Sequence, residues 1–249
     1  MICALMMGRA GSKGLPKKNI KKVLGRHLFE YPLIASQESK FVKKIFVTTD
    51  CPIIAKGSKK YNSIHIKRPK KLASQKAFGE DVYEHGYFKI KKILDLNEKD
   101  IEFVVLLMAN APTINAKLID KGINILRKNK SFDSAVTVSV YNMWSPLRAR
   151  KVDGNNLLKP FVPFKTFGNP KTLNCERDSQ GNVYFADMSA SIVRPKCLEQ
   201  LKNGMLPQRW MGKKIAPILS WGGCDVDFEW QLPMVEFWLK KNGYKNAKF

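Results

Sequence analysis

Short apolar segments recur along the chain and predict a set of buried strands. Such segments occupy residues 2–7, 45–47, 103–108 and 134–140. The segment at 103–108 is apolar on both faces of an extended chain, which is typical of the centre of a parallel sheet. We therefore place it in the middle of the predicted sheet.

Segments with a helical spacing of apolar residues alternate with these strands. They are predicted at about 28–39, from about 79 and at about 116–128, and Pro52 is expected to open another helix after the second strand. The repeating order of strand and helix predicts an α/β fold with a doubly wound, mostly parallel, Rossmann-like sheet.

The C-terminal section adds two strands and a terminal helix. The segment NVYFADMSASIV at 182–193 is predicted to be a strand, and a helix is expected at about 196–202. A final strand ends near Gly222 and Gly223. The helix after it is expected to face the core with four apolar residues: Leu232, Val235, Phe237 and Trp238.

The regular pattern breaks between residues 141 and 178. Short alternating pieces such as LRARKV and NLLKPFV predict an antiparallel excursion from the main sheet. We therefore divide the chain into an α/β domain of residues 1–140 and 179–249 and an arm of residues 141–178. Aromatic residues on the arm indicate a surface for a partner, most simply a second copy of the chain, or packing back onto the same domain. They are Trp144, Phe161, Phe164 and Phe167.

Composition fits a folded protein with a basic surface. The 249 residues are 44% hydrophobic and 26% charged, which excludes a disordered chain and allows one main core. Basic residues exceed acidic ones by 44 to 21, for a net charge of +23. The lysines are scattered and no nucleic-acid-binding signature is present, so we favour a solvated basic surface over a nucleic-acid-binding one.

Cysteines and hydrophobic runs indicate a cytoplasmic protein. The five cysteines are far apart and form no C-x-x-C pair, so no zinc site or disulfide framework is signalled and reduced thiols are expected. The apolar run at 2–7 is too short to span a bilayer and lacks the features of a signal peptide. We therefore expect no membrane insertion.

A glycine-rich, cationic loop directly follows the first strand. The sequence from Gly8 to Asn19, GRAGSKGLPKKN, combines glycines with an arginine and lysines. Glycines let backbone N–H groups approach a ligand, and cationic side chains attract phosphate oxygens. The loop therefore predicts a phosphate-binding site, and a basic surface turn is the alternative.

Two carboxylates follow the last strand. Asp225 and Asp227 are two residues apart, so on an extended backbone both side chains lie on one face and can bind the same hard cation, such as Mg²⁺. A helix N-cap with a second acidic residue is the alternative. Together with the cationic loop, the pair predicts a metal-assisted site for a nucleoside triphosphate.

Several other chemistries are not supported. The loop matches neither G-x-x-x-x-G-K-[ST] nor G-x-G-x-x-G, which argues against P-loop kinases and dinucleotide dehydrogenases. The histidines, His27, His65 and His85, have no metal-ligand spacing, and no Ser-His-Asp or Cys-His arrangement can be argued. A phosphate-centred reaction without a protein nucleophile remains.

The segment RAGSKGLPKKN at 9–19 resembles the signature of the acylneuraminate cytidylyltransferases, which make CMP-sialic acid and related activated sugars. Supporting segments follow in that family's order: VTTD at 47–50, RPKKLAS at 68–74 and DVDFEWQ at 225–231. The resemblance covers nearly the whole chain. It implies a nucleotidyltransferase sheet and transfer of CMP from CTP to an acidic sugar, a nonulosonic acid such as a sialic, legionaminic or pseudaminic acid, with release of pyrophosphate.

The resemblance also implies roles for individual residues. Catalytic contacts with the CTP phosphates are implied for Arg9, Lys13 and Lys18. Acceptor binding is implied for Met108 and Asn110, and the arm at 141–178 would correspond to the family's dimerisation element, so a homodimer is expected. Binding of Mg²⁺ is implied for Asp225 and Asp227. CTP binding is implied for Gly11, Ser12, Gly14, Asn19, Arg68, Ala73 and Ser74.

Two segments depart from the family pattern, both on the acceptor side. Where the family usually has LLQPTSP, this chain has LLMANAP at 106–112, so Met108 replaces a glutamine. The segment GNVYFADMSAS at 181–191 only loosely resembles the corresponding family stretch. CTP use is therefore better supported than any one sugar. The alternatives are a nucleotidyltransferase with another base or acceptor, a nucleic-acid-binding module and a catalytically silent relative.

Overall fold

The apolar segments form one seven-stranded sheet, accompanied by two small antiparallel pairs of strands. The computed structural model describes residues 1–12, 14–74, 76–174, 176 and 181–247, with the side chain of Glu98 excepted. The strands are β1 Ile2–Gly8, β2 Lys22–Val23, β3 Arg26–His27, β4 Lys44–Thr49, β5 Ser63–Lys67, β6 Phe103–Met108, β7 Ser134–Val140, β8 Arg150–Val152, β9 Leu158–Pro160, β10 Tyr184–Val193 and β11 Ile215–Ser220.

The large sheet is mostly parallel, as predicted. Its order is β11-β7-β10-β6-β1-β4-β5. Strand β1 is parallel to β4 and β6, β4 to β5, and β7 to β11, whereas β10 is antiparallel to both of its neighbours. Because parallel strands end at the same edge of a sheet, the polar segments that follow β1, β4, β6, β7 and β11 meet there.

Most helices agree with the predicted spacing. The prediction at 28–39 corresponds to a helix at Glu30–Glu38, and the prediction at 116–128 matches Ala116–Lys128. The predicted helix at 196–202 is divided, since a short helix ends at Glu199 and a separate 3-10 turn spans Leu201–Asn203. The α-helices are α1 Glu30–Glu38, α2 Pro52–Gly57, α3 Lys70–Ala73, α4 Gly79–Leu94, α5 Ala116–Lys128, α6 Lys196–Glu199 and α7 Gln231–Lys241.

Across the described ranges of the chain, none of the helices combines the length and the apolar character needed to cross a bilayer.

Alternate residues of β1 face opposite sides of the sheet. Ile2, Ala4 and Met6 lie in a cluster that includes buried residues of α1 and α5. Cys3 and Leu5 lie in a second cluster with buried residues of α4. The sheet is thus covered by apolar helix faces on both sides, as a doubly wound fold requires.

A third cluster connects the loop after β1 to the C-terminal helix. Leu15 of the loop packs with Val235 and Trp238 of α7. The prediction that Phe237 also faces the core is wrong, because its side chain is 57% exposed. Successive helix residues are about 100° apart, so Phe237 and Trp238 cannot both face one cluster. The Phe237 ring lies against Trp221 instead, with the ring centroids 6.2 Å apart.

The arm contains the predicted antiparallel excursion. Strands β8 and β9 pair as a hairpin. Trp144 and Phe161 are exposed, whereas Phe164 is half-buried below the guanidinium of Arg150, which lies 5.3 Å from the ring centroid. The arm therefore presents part of its aromatic surface and packs another part against itself.

Candidate active site

A cavity of about 230 Å³ opens at the carboxyl edge of the sheet, where β1 and β6 end. This is the edge at which open α/β sheets bind ligands. The described wall contains three cationic side chains and an apolar side. It consists of Met7, Gly8, Arg9, Ser12, Lys18, Asn19, Arg68, Leu72, Ser74, Ala77, Gly79, Val82, Met108 and Asn110.

A glycine at the end of β1 and another in the loop after it allow close contact with two other segments. A Cβ atom on Gly8 would be 2.6 Å from the Cβ of Ala109, which follows β6. A Cβ atom on Gly14 would be 2.9 Å from the carbonyl oxygen of Asp227, which follows β11. Both approaches require the absence of a side chain. The glycine spacing therefore sets the contact between the loop and the segment that carries the two carboxylates.

The cationic end of the loop is held by neighbouring backbone and side-chain groups. Asn19 Nδ2 donates to the carbonyl oxygen of Arg9 at 2.8 Å. Arg9 Nη1 donates to the carbonyl oxygen of Ser74 at 3.2 Å. The N–H of Ala10 donates to Asp50 Oδ1 at 3.0 Å. The loop is thus tied to the segments that follow β4 and β5.

Arg68 is a buried cation immediately after β5. It is only 6% exposed, and its Nη2 donates to the carbonyl oxygen of Thr48 at 2.7 Å. Burial lowers the pKa of the Arg68 guanidinium, and the Asp50 carboxylate opposes that shift. A desolvated positive charge in a cavity wall interacts strongly with an anion, because the local dielectric constant is low.

Three buried polar atoms of the cavity residues have no hydrogen-bond partner among the residues that the structure describes. They are Ser12 Oγ, Asn19 Oδ1 and Arg68 Nε. Such groups are normally paired, because an unsatisfied buried donor or acceptor costs about 1–3 kcal/mol. The residues that form the cavity wall therefore keep three polar groups whose hydrogen-bonding capacity is not used.

The two carboxylates after β11 lie beside the cationic loop. Asp227 forms an ion pair with Lys18, whose side chain also lines the cavity. Asp225 Oδ2 accepts a hydrogen bond from Asn110 Nδ2 at 3.4 Å. Burial raises the pKa of Asp225, and repulsion by the Asp227 carboxylate adds to that shift. A divalent cation between the two carboxylates would relieve this repulsion.

The donor set fits Mg²⁺ better than a metal held by protein ligands alone. Within the described residues, no group of three or more His, Cys, Asp or Glu side chains is arranged to hold a metal ion. Mg²⁺ commonly takes one or two carboxylates and completes its shell with water and substrate phosphates. Asp225 and Asp227 provide such a pair next to a cavity suited to phosphate.

Residues after β6 fix the segment that carries these carboxylates. The N–H of Val226 donates to the carbonyl oxygen of Asn110 at 2.7 Å, and Asn110 Nδ2 donates to the carbonyl oxygen of Val226 at 3.1 Å. The N–H of Cys224 donates to Thr113 Oγ1 at 2.9 Å. Asn110, for which the resemblance implies acceptor binding, therefore lines the cavity and also holds the carboxylate segment.

The structure brings many of the sequence-selected residues to one place. Gly14 contacts the carboxylate segment but does not line the cavity, and Gly11 and Ala73 do not line it either. Lys13 lies outside the described residues. Asp225 and Asp227 lie next to the cavity through Asn110 and Lys18. The residues that do line it are Arg9, Ser12, Lys18, Asn19, Arg68, Ser74, Met108 and Asn110.

Sequence reasoning assigned no role to Asp50 and did not identify the apolar side of the cavity. Asp50 ends the VTTD segment, and polar residues at the carboxyl end of a parallel strand predict a place at the ligand-binding edge, which agrees with its hydrogen bond to the loop. Leu72, Ala77 and Val82 come from α3, from α4 and from the chain between them. Apolar residues of this kind occur on any helix that packs on a sheet, so they carry no distinguishing signal.

Residues 3–159 match the protein family described as Cytidylyltransferase. The chain belongs to this family. The match begins in β1 and ends in β9, so it includes the glycine-rich loop, Arg68 and the residues after β6. The membership predicted from the loop signature is confirmed.

Individual relatives support the same assignment. This chain is 29% identical over 192 residues to the CMP-N,N'-diacetyllegionaminic acid synthase of Legionella pneumophila, and the match covers 74% of this chain and 77% of that protein. It is 26% identical over 160 residues to the N-acylneuraminate cytidylyltransferase of Escherichia coli O18:K1:H7, covering 64% of this chain but only 36% of that longer protein.

A solved structure shares the fold of this cytidylyltransferase. The structure of CMP:2-keto-3-deoxy-manno-octonic acid synthetase complexed with CTP superposes with a TM-score of 0.64 at 13% identity. The alignment covers 97% of this chain and 99% of the other. The doubly wound architecture predicted from the sequence is thus shared with that synthetase.

Proposed function

We propose that this cytidylyltransferase transfers CMP from CTP to an acidic sugar, a nonulosonic acid such as a sialic, legionaminic or pseudaminic acid, and releases pyrophosphate. The observation that carries the proposal is the cavity in which Arg9, Lys18 and Arg68 converge beside Asp225 and Asp227. The names of the Legionella and Escherichia relatives support this class of acceptor.

The reaction requires positioning and charge neutralisation rather than a protein nucleophile. A hydroxyl oxygen of the acceptor attacks the α-phosphorus of CTP and loses its proton to solvent, the bond between the α-phosphorus and the oxygen that bridges it to the β-phosphorus breaks, and pyrophosphate leaves with that oxygen. Negative charge on the phosphate oxygens is stabilised by Arg9 and Lys18, which the fold holds in place before the substrate binds. Arg68, which lines the cavity, would help to orient the nucleotide.

Mg²⁺ is the proposed cofactor, with Asp225 and Asp227 as its protein ligands. When bound, it would neutralise triphosphate charge and polarise the reacting phosphoryl group. Lys18 pairs with Asp227 and also lines the cavity. Its ammonium group therefore connects the cation site with the phosphate site.

The proposed assembly is a homodimer formed through the arm. Val152, Leu158 and Phe161 of the β8–β9 hairpin are 62%, 71% and 62% exposed. A two-stranded hairpin with exposed apolar side chains is marginal by itself and is stabilised by covering that surface. Phe161→Asp is expected to convert a dimer into a monomer in sedimentation analysis, and an unchanged sedimentation coefficient would contradict this assembly.

A pyrophosphate-release assay tests the proposed function. The assay combines CTP, Mg²⁺ and a panel of nonulosonic acids. In parallel reactions ATP, GTP or UTP replaces CTP, and an eight-carbon keto acid replaces the nonulosonic acid. We expect release only with CTP and at least one nonulosonic acid, and loss of release in EDTA. Turnover with another acceptor but with no nonulosonic acid would overturn the acceptor class.

A further inference from the structure

A buried carboxylate other than the two proposed metal ligands lies in β10. Asp187 is 5% exposed. Its Oδ1 accepts from Thr137 Oγ1 at 2.6 Å and from the N–H of Ser189 at 3.2 Å, and its Oδ2 accepts from Ser139 Oγ at 2.8 Å. These donors are neutral hydroxyl and amide groups, so hydrogen bonds with uncharged partners compensate the burial of this carboxylate.

An irregularity in β10 places this carboxylate where it is. The pairing of β10 with β7 shifts register between Ala186 and Ser191, and Met188 has a left-handed φ of 61°. A bulge of this kind redirects side chains and is common beside functional sites. The left-handed conformation of a non-glycine residue is unfavourable, so the surrounding contacts must maintain it.

The hydrogen bonds continue from Asp187 to the carboxylate segment. Because the Ser139 hydroxyl gives its proton to Asp187, its oxygen is free to accept the N–H of Gly223, which lies at 3.0 Å. A Cβ atom on Gly223 would be 2.2 Å from Asp187 Oδ2. Asp187 thus contacts the backbone two residues before Asp225, both through Ser139 and by direct packing against Gly223.

We propose that Asp187 is a positioning residue that orients the Asp225–Asp227 segment for binding of the divalent cation. This inference rests on the proposed function. An asparagine at 187 would keep one acceptor oxygen and present an NH₂ group in place of the other. Where that NH₂ group faces Ser139, the serine hydroxyl becomes an acceptor for it and turns its own proton toward the N–H of Gly223. The segment then loses an anchor although the volume of the side chain is unchanged.

Direct metal binding tests this role. Mn²⁺ affinity is measured by electron paramagnetic resonance with CTP present and acceptor absent, and CTP affinity is measured by calorimetry in EDTA. Asp187→Asn is expected to weaken Mn²⁺ binding about tenfold or more, as other supporting residues of metal sites do, and to leave metal-free CTP affinity unchanged. Ser139→Ala removes the hydroxyl that links Asp187 to the N–H of Gly223, so it is also expected to weaken Mn²⁺ binding.

Asp133→Asn is the matched control. Asp133 Oδ2 also accepts backbone N–H bonds, from Lys213 at 2.8 Å and Lys214 at 2.9 Å, but it lies at the opposite edge of the sheet, just before β7. Wild-type Mn²⁺ affinity in this variant, with loss in Asp187→Asn, supports the positioning role. An equal loss in both would overturn it, because a general loss of stability would then explain the effect.

The outcomes separate this inference from the proposed function. Wild-type Mn²⁺ affinity in both Asp187→Asn and Ser139→Ala overturns the positioning role and leaves the proposed function standing. Weakened Mn²⁺ binding in these variants, together with a wild-type enzyme that uses no nonulosonic acid, supports the positioning role and overturns the acceptor. A wild-type protein that binds CTP but no Mn²⁺ overturns both the cation site and the role of Asp187.

Discussion

The proposed nucleotide side and the proposed metal side of the candidate active site differ in how their polar groups are paired. On the nucleotide side, Ser12 Oγ, Asn19 Oδ1 and Arg68 Nε are buried without partners among the described residues. On the metal side, Asp187 and Ser139 form hydrogen bonds that lead directly to the backbone of the carboxylate segment. One side keeps buried polar groups without partners, and the other is anchored by hydrogen bonds.

This difference indicates that the two sides of the site have different roles. Unpaired buried groups lower stability, and a nucleotide that pairs with them gains both its own contacts and the relief of that penalty. A metal site needs its carboxylates within a narrow geometry, which supporting hydrogen bonds maintain. Substitutions on the nucleotide side should therefore change affinity for CTP, and substitutions on the metal side should change turnover.

The largest effect is expected for Asp227→Ala. Removal of one proposed metal ligand should lower kcat by about 100-fold or more, the scale seen when one electrostatic contact to the transition state is lost. The melting temperature should stay close to that of the wild type, because the Asp227 side chain is 51% exposed and such surface ion pairs contribute little. Pyrophosphate release and thermal unfolding measure the two quantities.

Glu229→Ala is the control for this substitution, since Glu229 is a neighbouring acid whose side chain is 77% exposed. It should retain wild-type turnover. If Asp227→Ala is active, the acidic pair binds no catalytic metal and serves only to cap the helix that follows.

A smaller loss is expected for Gly14→Ala, which disturbs the contact between the two sides. The added Cβ would lie 2.9 Å from the Asp227 carbonyl oxygen, so the loop and the carboxylate segment must separate. We expect kcat/KM to fall about tenfold, because small displacements of reacting groups are costly in rate. Gly154→Ala in the β8–β9 hairpin, where a Cβ has no neighbour within 4 Å, is the control. Equal activity of both variants would contradict the proposed contact.

Arg68→Met is expected to separate affinity from stability. The dissociation constant for CTP should rise about tenfold, because hydrogen bonds to charged groups are worth about 1.5–3 kcal/mol. The melting temperature should be maintained or increased, since burial lowers the pKa of the Arg68 guanidinium and thus disfavours its charged form. Calorimetric titration and thermal unfolding test this. Lys67→Met, at the adjacent and exposed Lys67, is the control. A marked loss of stability in Arg68→Met but not in Lys67→Met would show that Arg68 stabilises the fold instead of binding CTP.

The smallest effect concerns pH and the metal-free protein. Because the pKa of Asp225 is raised by burial and by Asp227, the folded state binds a proton more readily than the unfolded state. The penalty is absent below the ordinary carboxyl pKa of about 3.9 and grows as pH rises through the raised value. Asp225→Asn should therefore raise the metal-free melting temperature at neutral pH, and this gain should vanish in acid. A gain that persists in acid would contradict this origin.

The fold near the site was predictable because its signals are local. Strand β6 spans Phe103–Met108 and helix α5 spans Ala116–Lys128, where the apolar pattern placed them. The glycine-rich loop was identified from its own residues, and Gly8 and Gly14 make the close approaches that only glycine allows. Hydrophobic periodicity and glycine spacing are contained in short stretches of chain, so sequence alone reveals them.

The failures have a common origin in contacts between distant segments. Phe237 is exposed because Trp238 takes the buried position and Trp221, before the helix, contacts the Phe237 ring. Asp50 belongs to the site because its carboxylate accepts a hydrogen bond from the N–H of Ala10, which lies 40 residues earlier in the chain. The exposure of Phe237 has no signature in the local pattern, whereas the position of Asp50 directly after β4 is local and only its partner, the N–H of Ala10, is not.

By itself, the sequence determined the doubly wound sheet, the cationic loop and its resemblance to cytidylyltransferases, because periodicity and motif spacing specify these within short segments. Only the tertiary structure decided how the metal side is supported. Ser139 donates a hydrogen bond to Asp187, 48 residues later in the chain, and accepts one from Gly223, 84 residues later. Serine, threonine and aspartate occur throughout any soluble chain. The pairing of β10 with β7, including its irregularity, brings these side chains together. That register depends on the packing of the whole sheet, which no single stretch of sequence contains.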